Sequence, residues 1–225
     1  MSTLIAEDLL LLLLDDDKGM TPASVPVPTV LGGAILMELA LIDAIGIGKK
    51  PSRWTAAKVR VARAEAATDP VLRRAVGIVA EKERPAQSLL GRLGKGLKDE
   101  LGTRLAKMSF VERRSERILG AFPHATWPAV NRSHKLDLRH DITAVLVHGN
   151  PPDDRTGGLI ALLSSINRAH MAVDTDEVPR RELKKRAKAI AEGDWAAKAV
   201  ADAIAAATAA ITAATVASVA ASSGS

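Results

Sequence analysis

A chain of 225 residues, 47% of them hydrophobic, is long and apolar enough to bury a core. It has no cysteine, which excludes disulfides, thiolate metal sites and cysteine nucleophiles. Only 2% of residues are aromatic, so the core rests on Leu, Ile, Val and Ala, and the stacking platforms of single-stranded nucleic-acid binders are missing. The net charge of +5 divides into −4 over residues 1–50, +10 over 51–140 and −1 over 141–225. Such asymmetry points the middle of the chain toward an acidic partner, whether lipid headgroup, nucleic acid or acidic protein, or else to a solvated basic helix surface, and charge alone does not choose between them.

Residues 3–14 read as a short helix, with Glu7 and Asp8 suited to its first turns through the helix dipole. No basic segment precedes its leucine run, so no signal peptide is expected, and Leu9–Leu14 falls short of the ~20 apolar residues that span a bilayer. Asp15-Asp16-Asp17-Lys18-Gly19 forms a polar turn without the Glu an EF-hand needs. Pro22, Pro26 and Pro28 then keep the chain extended. Thr29 caps a helix over Leu31–Ile45 that is apolar except for Glu38 and Asp43. Such a helix belongs at the centre of the core, and Gly46 and Gly48 end it. Alternation from Lys58 to Arg63 predicts an edge strand. Asp69-Pro70 opens a helix as cap and first residue, and Leu89, Leu90 and Leu93 mark another, closed by Gly94 and Gly96. Leu97–Arg113 follows as a helix. A hairpin comes next, with Ser115–Leu119 and Thr126–Pro128 flanking the turn Gly120–His124. Ser133 caps a helix reaching Gly149, and Asp153-Asp154 begin one running to His170. Val178–Glu192 is a basic amphipathic helix and Trp195 begins a long alanine helix. The stretch Ala196–Ala221 is long enough to span a bilayer, but Lys198 and Asp202 assign it to a packed soluble helix. With no repeat and no linker, the expectation is one domain over 1–225 with a frayed tail at 222–225. The fold class is mainly α: a globular multi-helix domain around a central apolar helix, with a small β-hairpin.

Catalytic signals are lacking. His124, His134, His140, His148 and His170 form no HExxH pair, and no nucleophile elbow, Walker A loop or dinucleotide fingerprint is present. Gly32-Gly33 and Gly157-Gly158 lie inside apolar runs, where close helix packing explains them. The expectation is a protein that is not an enzyme, without catalytic residues, metal or cofactor.

Three segments together resemble the Golgi phosphoprotein 3 (GPP34) family. They are Ala6-Glu7-Asp8 with its leucine run and Asp-Asp-Lys-Gly turn, Leu31-Gly32-Gly33-Ala34-Ile35-Leu36-Met37-Glu38-Leu39-Ala40-Leu41, and Pro152-Asp153-Asp154-Arg155-Thr156 with the apolar run after it. Arg104-Leu105-Ala106-Lys107 and the Phe122-Pro123 to Trp127-Pro128 hairpin fall between them in the family's order, so the resemblance covers nearly the whole chain. High Ala and Arg content suggests a bacterial member, in a cell without a Golgi.

The resemblance implies a mainly α-helical peripheral membrane protein on the cytoplasmic face of a membrane. It would bind phosphatidylinositol 4-phosphate or other anionic headgroups, serve in some members as an adaptor, and self-associate into a homo-oligomer through the hairpin. The family's lipid-inserting Trp falls at Ala23 here, and its three headgroup Arg positions fall at Gly32, Asp99 and Gly102. The headgroup residues that remain nearby are Thr29, at a helix N-terminus suited to phosphate, and the bases Lys95, Lys98 and Arg104. The hairpin residues expected to mediate association are Arg117, Leu119, Phe122 and Trp127. A second reading is a protein–protein module that uses the hairpin and no lipid. Nucleic acid is not expected as a partner, although the helix followed by a hairpin resembles part of a winged helix; duplex binding would fall steeply with salt.

Overall fold

The computed structural model describes residues 3–48, 57–118, 122–173, 175, 177–193 and 205–213, without the side chains of 116–118 and 122–124. The expected frayed tail, the start of the alanine helix and Leu119 lie outside these residues. The architecture is mainly helical. Helix α1 (Ile5–Leu13), α2 (Val27–Leu41), α3 (Pro70–Ala80), α4 (Ala86–Gly94), α5 (Leu97–Lys107), α6 (Ser133–Leu146), α7 (Asp154–Ser165) and α8 (Arg180–Ala191) are followed by a helix over 205–213. Strands β1 (Ile45–Ile47), β2 (Lys58–Val61) and β3 (Arg84–Pro85) make one antiparallel sheet in the order β1-β2-β3. Strands β4 (Arg114–Ile118) and β5 (Phe122–Thr126) form a separate hairpin.

α2 is the centre, as its all-round apolarity predicts. Val30, Leu31, Ala34, Ile35, Leu36, Met37 and Leu39 are all fully buried, and α1, α4, α5 and α7 pack around them. Its limits differ from those read in the sequence. The helix starts at Val27 after Pro26, so Thr29 is its third residue and not its cap. It stops at Leu41 because Asp43 takes a left-handed conformation (φ 55°) and lets the Ala44 amide close back on the Leu39 carbonyl at 2.8 Å. Ile45 and Gly46 therefore enter β1, where they pair with Val61 and Arg60. The predicted edge strand β2 is instead central, between β1 and β3, and its alternation places Val59 in the core.

Other boundaries follow local chemistry. The Asp69 side chain caps α3 by accepting from the Val71 amide at 2.8 Å, and Asp153 caps α7 through the Thr156 amide at 2.6 Å. α5 ends at Lys107, short of Arg113, because Ser109 turns the chain with φ 61°. α7 ends at Ser165, short of His170, at a similar turn on Asn167 (φ 56°), and a 3-10 turn over Ala169–Met171 follows.

Candidate functional site

α2 and α4 cross at backbone contact. A β-carbon on Gly94 would lie 1.7 Å from the Pro28 carbonyl oxygen, and one on Gly32 would lie 2.1 Å from that of Leu90. Glycine at both positions lets the helices close, and it fixes the α4–α5 junction against the N-terminus of α2. Lys95 ends α4 there, and Gly96, in a left-handed conformation (φ 72°), starts α5 without a side-chain cap. The first amides of α5 have no partner within the helix. Lys95 is exposed and Lys98 half-buried, and neither forms an ion pair among the described residues. Thr29 is half-buried at the start of α2, across the Pro28–Gly94 contact. Thr29, Lys95 and Lys98 therefore share one edge of the fold.

Arg104 does not share it freely. Its guanidinium bonds Asp69 twice, at 3.0 and 2.8 Å, and Glu7 through Nε at 2.6 Å. Burial acts to lower its pKa, but the bonds to Asp69 and Glu7 outweigh it and the pKa rises. Burial likewise acts to raise the Asp69 carboxyl, and the Arg104 and Val71 donors overcome it and hold it below the ordinary value.

Glu7 and Asp8, read in the sequence as first-turn acids, are fully buried and organise a second arm of the same network. Glu7 accepts the Leu4 amide at 2.7 Å, closing the start of α1. Asp8 accepts from His134 Nε2 at 2.8 Å and from Arg155 at 3.0 and 2.6 Å. His134 stacks on Phe110 with centroids 5.1 Å apart. Arg155 also reaches Glu38 at 3.5 Å and the Thr3 carbonyl, and Glu38 accepts the Ile5 amide. Desolvation raises the Glu38 carboxyl above its ordinary value. α1 is thereby tied to α2, α5, α6 and α7 by hydrogen bonds and ion pairs. The family-like segments containing Glu7-Asp8, Glu38, Arg104 and Arg155 meet here, inside the protein. Nothing in their local pattern announced that they would pair with one another.

The hairpin is anchored at its base. Trp127 is fully buried; its ring lies where a β-carbon on Gly102 would come within 2.5 Å of Cε2, and the Arg113 guanidinium sits 6.0 Å from its centroid. The Trp127 amide also donates to the Gly19 carbonyl at 2.9 Å. Trp127 therefore fastens the hairpin base to α5 and to the turn after α1. Gly32 and Gly102 are thus both held at close packing contacts. Beyond the anchor, the register pairs Arg117 with Pro123 and Ile118 with Phe122 at the tip.

Among the described residues, no group of three or more His, Asp or Glu is arranged to hold a metal ion, and no helix is long and apolar enough to cross a membrane. No curated protein matches the chain. The sequence pattern of Golgi phosphoprotein 3 (GPP34) matches residues 5–207. With most of its length matched and its motif residues joined in one buried network, the chain belongs to the Golgi phosphoprotein 3 (GPP34) family.

Proposed function

We propose that this protein is a peripheral membrane protein that binds anionic lipid headgroups, phosphoinositides among them, on the cytoplasmic face of a membrane. The observation that carries the reading is the edge where Lys95 and Lys98, without an ion pair among the described residues, flank the start of α5, which has no side-chain cap, beside the α2 N-terminus. A phosphate there meets open amides and two ammonium groups. Asp99 in the same turn opposes it, and Arg104 is committed to Glu7 and Asp69, so selectivity among anionic headgroups is weak. Co-sedimentation with neutral, generic anionic and phosphatidylinositol 4-phosphate vesicles at two salt concentrations tests this. Binding to both anionic compositions, reduced by salt, is expected. Absence of binding to any anionic vesicle at low salt sinks the reading.

A second reading, self-association through the hairpin, is favoured by one feature: β4 and β5 pair with each other as a sheet of two strands. Such a ribbon is marginal alone and gains from a partner. Deleting Arg117–Thr126 with a short Gly-Ser closure leaves Trp127 in place and is expected to lower the oligomeric state with helicity retained. A wild type that is monomeric at high micromolar concentration by light scattering rules this out.

A further inference from the structure

α8 carries five exposed cations, Arg180, Arg181, Lys184, Lys185 and Lys188, and none of them forms an ion pair among the described residues. At 100° per residue they fall within an arc of about 140°. Leu183 and Ala187, just beyond the Arg180 edge of that arc, are buried, and the helix's own acid, Glu182, bonds Arg186 at 3.3 Å. The acids Asp174, Asp176 and Glu177 precede the helix, and residues 168–188 still carry seven bases against four acids.

Next to this face stands the ridge made by the turn after α7. Met171 at its tip is 53% exposed. Among the described residues Arg168 has no acid partner; it donates to the Ser24 hydroxyl at 2.8 Å and to the Met171 sulfur at 3.0 Å. Burial, together with Lys184, Arg180 and Arg168, holds the His170 imidazole below its usual range, so cations from the ridge and from α8 converge on it. Met20, Met171, Arg139 and Arg168 also line one cleft of about 610 Å³, together with Asp15, Asp16 and Asp17, of which Asp16 and Asp17 are paired with Arg132 and Lys135.

The Arg168–Ser24 bond sets the ridge beside the exposed Ala23–Ser24 segment that precedes α2. Ser24 leads directly into α2, whose Pro28 abuts Gly94 beside Lys95.

We propose that the Arg168–Met171 ridge and the cationic face of α8 form the main docking surface of this protein for an anionic bilayer, with Met171 and Met20 entering the headgroup layer. The inference rests on the lipid-binding reading above and moves most of the attraction from Lys95 and Lys98 to α8. Charge complementarity identifies the occupant's sign. The exposed thioethers beside the cations identify a surface with an apolar interior, since a free polyanion gains nothing from them.

The test is flotation of the full chain with phosphatidylcholine vesicles, with and without phosphatidylserine. Wild type is compared with R181Q/K184Q/K185Q/K188Q, M171S and K95Q/K98Q, each checked by circular dichroism. At roughly fivefold per well-placed base, the quadruple variant loses about a hundredfold or more in partitioning, and K95Q/K98Q loses much less. M171S loses a few-fold that persists at high salt. If wild type binds and the quadruple variant stays within about threefold of it, the α8 surface is wrong and the lipid reading stands. If wild type ignores phosphatidylserine vesicles, both fall. Tighter binding to a duplex oligonucleotide than to vesicles, unaffected by M171S, also overturns the proposal.

Discussion

Arg104→Met separates an internal role for Arg104 from a headgroup role. The guanidinium balances Glu7, which is fully buried, and Asp69, whose side chain is 22% exposed. Methionine keeps most of the volume and removes the charge. Asp69 can turn to water and still cap α3, so the larger loss falls on Glu7, left buried without its ion-pair partner. Breaking one side of a buried pair costs about 3–5 kcal/mol. For a chain of this size that is roughly a 6–20 °C fall in Tm. Two controls sharpen the reasoning. Glu7→Gln keeps an acceptor for the Leu4 amide and removes the stranded charge, so the double variant should be more stable than additivity predicts by about 1–3 kcal/mol. The pH dependence supplies the sign. Asp69 has a lowered pKa in the folded wild type, so its ion pair contributes stability above the ordinary value of 3.8, and this is lost as pH falls through the folded value. The gap between wild type and Arg104→Met should therefore narrow in acid. The assay is urea unfolding followed by circular dichroism, at neutral pH and near pH 3.5. An Arg104→Met protein as stable as wild type but weaker on anionic vesicles would refute this account and return Arg104 to the binding surface.

Leu36→Ala empties a fully buried site on α2 and should cost about 2–5 kcal/mol in urea unfolding. Gly102→Ala drives a methyl into the Trp127 ring, and a loss of about 1–3 kcal/mol with altered Trp fluorescence is expected. Glu38 has a raised pKa, so the folded state takes up a proton in the region just above pH 4.5 and this contribution declines as pH rises through the folded value. Glu38→Gln still accepts the Ile5 amide and should flatten the urea midpoint against pH in that region; an unchanged slope would show that Glu38 is not the titrating group.

What the sequence revealed was what is local. The apolar run of α2 and the Asp69 cap follow from residues a few positions apart and are found in the structure. The hairpin is found too, with its second strand over Phe122–Thr126 and not Thr126–Pro128, so that Phe122–His124 are strand and not turn. β1 was hidden because three residues, Ile-Gly-Ile, carry no period, and they looked like the end of α2 until Asp43 turned the chain. The ion network was hidden for a different reason. Glu7 and Arg104 are 97 residues apart and Asp8 and Arg155 are 147 apart, so no spacing rule links them. The family-like motifs drew attention to those residues, but as marks of kinship and not as partners. Of the residues expected at the headgroup, Thr29, Lys95 and Lys98 lie along one edge and Arg104 is turned inward. The cationic α8 was legible as an amphipathic helix. Its link to Arg168 and Ser24 depends on a turn at Asn167 that single-sequence periodicity does not show.

The central claim is reversible attachment to anionic bilayers, and the most direct measurement is the partitioning of wild type onto vesicles of graded phosphatidylserine content, at low and physiological salt. The account predicts no attachment to neutral vesicles, a steep rise with anionic content, and a large loss of affinity on raising the salt. Attachment independent of anionic content, or none at any composition at low salt, would contradict it.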